Sequence, residues 1–119
     1  MKIVVLAVAA LGLTPISAFA VSECRVTGSP SEFGVDMTGY FAVASGEACL
    51  FPIRMPGMMH SSSISRKPLH GTLRKLNLTT YTYTAAFGYK GNDTFAIRAV
   101  GKGPIGSDTS IVTLNATIQ

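Results

Sequence analysis

Thr94-Phe95-Ala96-Ile97-Arg98-Ala99-Val100, then Gly101-Lys102-Gly103-Pro104-Ile105-Gly106-Ser107-Asp108, then Ser110-Ile111-Val112-Thr113-Leu114-Asn115-Ala116-Thr117-Ile118 is the stretch that decides the fold. Phe95, Ile97 and Ala99 fall on every second residue, as do Val112, Leu114, Ala116 and Ile118. A period of two places each set on one face of a strand, and those faces are the expected core. The segment from Gly101 to Asp108 is too polar and glycine-rich to read as strand, so a long hairpin loop is expected there. Upstream, Val35 to Val43, Cys49 to Met55, Ser62 to Arg66, Thr72 to Leu78 and Thr79 to Ala85 are also of strand length, separated by Gly, Pro, Ser and Asp clusters. No segment beyond residue 20 keeps apolar residues at helical spacing. Seven short strands rich in Thr, Val, Ile and Tyr predict an all-β protein of β-sandwich type.

The first twenty residues follow another pattern. Lys2 precedes an apolar run from Ile3 to Leu13, and Pro15 leads to Ala18-Phe19-Ala20. That order predicts a signal peptide over residues 1–20, cleaved after Ala20, and a single domain over 21–119. The apolar run is too short to span a bilayer, so no membrane span is expected. Glu23 stands before Cys24 where lipoprotein processing needs a small residue, so no lipid anchor is expected either. The predicted location is periplasmic or secreted. The 47% hydrophobic content is inflated by this leader.

Setting Lys2 aside leaves nine Lys and Arg against six Asp and Glu, a net charge of +3 with His neutral. The cations are scattered rather than gathered in a stripe, which argues against a nucleic-acid partner. Cys24 and Cys49 are the two cysteines. In an exported chain they are expected to form one disulfide, and closing that loop removes about 3.5 kcal/mol of unfolded-chain entropy. With no Trp in the chain, the antibody arrangement of an inter-sheet disulfide packed on Trp is excluded. The bridge is expected instead to tie the N-terminal segment to the second of the seven strands.

Three further stretches occur in order: His70-Gly71-Thr72-Leu73, Tyr81-Thr82-Tyr83-Thr84, and Phe87-Gly88-Tyr89-Lys90-Gly91-Asn92-Asp93-Thr94-Phe95. Over residues 64–119 this succession resembles the bacterial Ig-like, cadherin-like domains of exported proteins, with Ala85-Ala86 where their pattern carries Pro. The resemblance implies a seven-stranded Ig-like Greek-key sandwich with a structural, adhesive or protein-binding role and no catalysis. Its partner would be another envelope or extracellular protein. The residues also have reasons of their own. Gly71 and Gly91 suit positive φ at sharp turns, and Asp93 suits acceptance of backbone N–H bonds. Tyr89 is placed to bury its ring and return its hydroxyl to backbone, as in a tyrosine corner, and Tyr83 and Phe95 are core candidates.

Catalytic groupings are not apparent. His60 and His70 are the two histidines, and neither falls in a Ser–His–acid or Cys–His order. Glu23, Glu32, Asp36, Glu47, Asp93 and Asp108 show no paired spacing of acid and base. An enzyme is not expected, nor a cofactor. Met55-Pro56-Gly57-Met58-Met59-His60 gathers three thioethers and an imidazole, a set that suits copper, which makes Met55, Met58, Met59 and His60 the metal candidates of a periplasmic copper carrier. No second Met/His cluster completes the ligand shell. A small secreted inhibitor is a third reading that the stapled size allows. The sequons at Asn77, Asn92 and Asn115 fall in Thr-rich strands or turns where chance supplies them.

Overall fold

A computed structural model describes residues 21–29, 32–104 and 106–119. The leader expected over residues 1–20 lies outside them. The described residues hold eight strands and no helix: β1 Thr27–Gly28, β2 Met37–Val43, β3 Ala48–Pro52, β4 Met58–Arg66, β5 Gly71–Lys75, β6 Thr80–Ala85, β7 Gly91–Gly103 and β8 Gly106–Ile118. Each of the seven expected strands has a counterpart. The addition is β1, two exposed residues, Thr27 and Gly28, too short to show any periodicity.

The strands form two sheets, a five-stranded one ordered β1-β2-β8-β7-β4 and a three-stranded one ordered β3-β6-β5. All pairings between these strands are antiparallel except β2 with β8, which run parallel from Met37↔Val112 to Val43↔Ile118. The alternation read from the sequence sets the register: Phe95 faces Leu114 and Ile97 faces Val112 across β7 and β8. Phe95, Ile97, Ala99, Val112, Leu114, Ala116 and Ile118 are all buried. Phe41, Phe51, Tyr83 and Phe95 knot the two sheets together. Phe41 and Phe51 meet edge to face at 4.6 Å and Tyr83 stacks on Phe95 at 5.0 Å, contacts worth about 1 kcal/mol each beyond the area they bury.

The expected loop from Gly101 to Asp108 is instead ladder. Strands β7 and β8 continue until Gly103 pairs with Gly106. Two of the glycines that argued for a loop, Gly101 and Gly103, serve packing, whereas Gly106 has open space around it and a φ of 144°. A Cβ at Gly101 would lie 2.5 Å from the Phe33 ring, and Phe33 itself is 2% exposed. The bare backbone of β7 is therefore the seat of a buried ring supplied by the β1–β2 connection. Strand β4 likewise starts earlier than expected, at Met58, with a register shift between Met59 and Ser61 that leaves His60 unpaired in the ladder.

The two sheets are also joined at the edge by polar groups. Ser62 Oγ of β4 donates to Leu78 O at 2.6 Å and accepts from the Tyr81 hydroxyl at 2.9 Å, while Lys75 Nζ donates to Ser62 O at 2.6 Å. A lysine lying on an outer strand is a common guard against edge-to-edge association.

Opposite this edge, the Cys24–Cys49 disulfide joins the N-terminal segment to β3, the second of the expected strands, with Cα atoms 5.2 Å apart. Backbone pairing there is sparse: Glu23 bridges Leu50, whose N–H donates to Ser22 O at 2.9 Å. Four residues later the same segment pairs with β2 through β1, so it crosses from one sheet to the other. Among the described residues, no helix is long and apolar enough to cross a membrane.

Candidate functional site

The three motif stretches converge on one carboxylate. Asp93, the third residue of β7, is 4% exposed and accepts four hydrogen bonds. Leu69 N–H and Thr94 N–H bind Oδ1 at 3.0 Å each, while His70 N–H at 3.1 Å and the Tyr83 hydroxyl at 2.7 Å bind Oδ2. A buried charge without such partners is costly, and here the donors come from the loop before β5, from β6 and from β7 itself. Burial, and then the Asp93 carboxylate, hold the Tyr83 phenol well above its ordinary range.

Around this carboxylate the loops at one end of the molecule are tied together. His70 O accepts from Ala86 N–H at 3.0 Å, and Ser45 Oγ accepts from Gly88 N–H at 2.7 Å while donating to Ala86 O at 3.3 Å. The His70 ring stacks on Tyr89, with centroids 3.8 Å apart and planes inclined by 2°. The Tyr89 hydroxyl donates to Asn92 O at 3.0 Å, which closes the turn into β7 as expected of a corner tyrosine, although the ring is only partly buried. Gly91 has φ of 142°, as a sharp turn requires, but Gly71 does not adopt positive φ. Its requirement is space: a Cβ there would stand 2.7 Å from the Tyr83 ring and 2.6 Å from Thr84 O.

This braced end presents two large apolar side chains to solvent. Leu69 is 83% and Phe87 93% exposed, on either side of a shallow cavity of about 540 Å³ lined in part by Gly46, His70, Thr72 and Ala86. Single exposed hydrophobics are ordinary, but a pair on loops already held by hydrogen bonds has little ordering entropy left to lose on any contact. The sequence does not mark either residue, because loop residues have no periodicity to betray which way they point. Phe87 is nonetheless a large aromatic directly before the turn glycine Gly88, and that is the signal available.

The Met/His cluster is not drawn to one side. Met55 packs against the core, whereas Met58 is 66% exposed and His60 sits at the irregularity of β4. Met58 lies opposite Lys102, toward the other end of β7 from Asp93, so His60 and His70 belong to different ends of the molecule. Among the described residues no three His, Cys, Asp or Glu side chains are gathered as metal ligands. The acidic residues are likewise dispersed. Glu23 is held by Arg54 in a two-pronged pair at 2.7 and 3.1 Å, which lowers the carboxyl and raises the guanidinium from their ordinary values, and Asp36 Oδ1 accepts Ile111 N–H at 2.9 Å.

No protein-family model matches the chain, and no curated protein does. Among solved structures, a sialyltransferase from Photobacterium damsela is similar over 74% of this chain at 18% identity, with a TM-score of 0.40. The chain spans 18% of that one's length.

Proposed function

We propose that this is an exported Ig-like, cadherin-like module that binds another envelope or extracellular protein and performs no catalysis. The observation that carries the reading is the pair Leu69 and Phe87, exposed at one braced end of an all-β scaffold. Rigid apolar anchors beside a shallow concavity are what protein interfaces use for their central contacts. Lys67 and Lys90 stand exposed near them with Glu47, a mixed polar rim. The Ig-like assignment draws support from the sheet orders, with β3-β6-β5 facing β2-β8-β7-β4 and the chain passing repeatedly between the two. It draws further support from the motif stretches meeting at Asp93. The disulfide agrees with an oxidising compartment.

The test is chemical crosslinking and capture from envelope extract with residues 21–119, comparing the unaltered chain with a Leu69→Ser, Phe87→Ser double variant. The expected result is a saturable partner lost in the variant at unchanged thermal stability. Equal capture by both chains, or capture of nothing above background, overturns the reading.

A further inference from the structure

A second concave surface lies away from the Asp93 end, between the two sheets where the N-terminal segment crosses from β3 to β2. It is a groove of about 630 Å³ with walls that include Val26, Met37, Leu50, Ile53 and Leu114, and a mouth that carries Arg25, Arg54 and Glu23. That volume falls within the range of roughly 300–1,000 Å³ usual for small-ligand sites. The lining is apolar and the mouth carries more positive than negative charge. Arg54 is committed to Glu23, whereas Arg25 is exposed and has no hydrogen-bond or ionic partner among the described residues.

The backbone of the groove argues against an added β-strand. Strand addition needs free N–H and C=O groups on the receiving edge. On the outer edge of β3, Leu50 N–H is already given to Ser22 O, and Pro52, two residues on, has no N–H to give. On the other side β2 is paired by both β1 and β8 at Gly39 and Tyr40. What the walls offer is apolar contact without directional donors, and what the mouth offers is a guanidinium.

We propose that this groove binds an anionic amphiphile, with an aliphatic chain lying along Val26, Leu50 and Leu114 and a carboxylate-type head at Arg25. The two-pronged hold of Arg54 on the Glu23 carboxylate shows the same chemistry already present at the mouth. Arginine suits this role because its planar fork matches a carboxylate or phosphate and keeps its charge at all accessible pH values. The site is separate from the Leu69–Phe87 surface and stands or falls independently of the protein-binding reading.

The probe is dodecanoate below its micelle-forming concentration, titrated into residues 21–119 by calorimetry with amide chemical shifts followed in parallel. The expected result is one saturable site, with shifts confined to residues 23–29, 50–54 and 112–114. Arg25→Glu is expected to weaken binding at least about tenfold, since reversing one charge at the head changes a contact of the order of 1.4 kcal/mol. Val26→Trp, which fills the groove from an exposed position, is expected to abolish it. Dodecyltrimethylammonium, with the opposite head charge, is expected to bind at least about tenfold more weakly than dodecanoate. Absence of saturable binding overturns the proposal, as does equal affinity for both head groups or for the Arg25→Glu chain. Saturation by an extended apolar peptide but not by dodecanoate also overturns it, and assigns the groove to a protein segment.

Discussion

The Asp93 end and the Cys24 edge solve the same problem, fastening an irregular segment to a sandwich, by different means. At Asp93 the loop before β5 turns its backbone N–H groups inward, so one buried carboxylate gathers Leu69, His70 and Thr94 with the Tyr83 hydroxyl. At the Cys24 edge the segment meets β3 through the Glu23–Leu50 bridge and then departs for β2, leaving few backbone bonds to hold it. There the fastening is covalent, helped by the exposed Glu23–Arg54 pair. The difference teaches where each device belongs. A carboxylate can organise a loop only if several donors converge within hydrogen-bond reach, whereas a disulfide needs just two Cβ atoms at the right separation. The consequence for shape is that the hydrogen-bonded end is braced around a shallow concavity, while the stapled edge keeps an apolar-walled groove beside it.

Substitutions can break this comparison in order of size. Asp93→Ala removes the acceptor of three partly buried backbone N–H groups and of a buried phenol, and a loss of about 3 kcal/mol or more in unfolding free energy is expected by urea denaturation. A loss below about 1 kcal/mol would show that the carboxylate is not the fastening. Replacing Cys24 and Cys49 together by Ala is expected to cost about 3 kcal/mol, and reduction of the unaltered protein should match it. Amide exchange should then rise over residues 22–28 while residues 69–70 stay protected. The reverse pattern is expected for Asp93→Ala.

Tyr83→Phe removes one donor and is expected to cost about 1–2 kcal/mol near neutral pH. It also carries a signature in pH. Because the folded-state value of this phenol is raised, its contribution is complete below the unfolded value of about 10 and is lost as pH rises beyond it toward the folded value. The denaturation midpoint of the unaltered chain should therefore fall above about pH 10 more steeply than that of Tyr83→Phe. The smallest expected effect is at Phe87, where 93% exposure leaves little to lose: Phe87→Ser should change stability by no more than about 0.5 kcal/mol, measured by the same urea titration.

Much of the scaffold is legible in the sequence. Phe95, Ile97, Val112 and Leu114 declared their face because a strand's side chains alternate, and a buried face permits one register. The role of Asp93 as an acceptor of backbone N–H bonds was legible from its place in a turn. Its reach to Leu69 and His70, more than twenty residues away, was not. The ladder over Gly101 to Asp108 hides in the sequence for the same reason. Glycine signals that a side chain is unwelcome without saying whether the reason is a turn or a neighbour, and the neighbour at Gly101 is Phe33.

By itself the sequence determined the strand-forming segments, the buried face of the last two and the pairing of its two cysteines. These follow from local periodicity and from a pairing that admits one intramolecular partner. Only the tertiary structure decided that Leu69 and Phe87 stand exposed on a braced end, that Met55 turns from Met58 toward the core, and that a groove opens beside Arg25. Those features depend on which distant segments come to lie against one another, and no local pattern encodes the empty space left between two sheets.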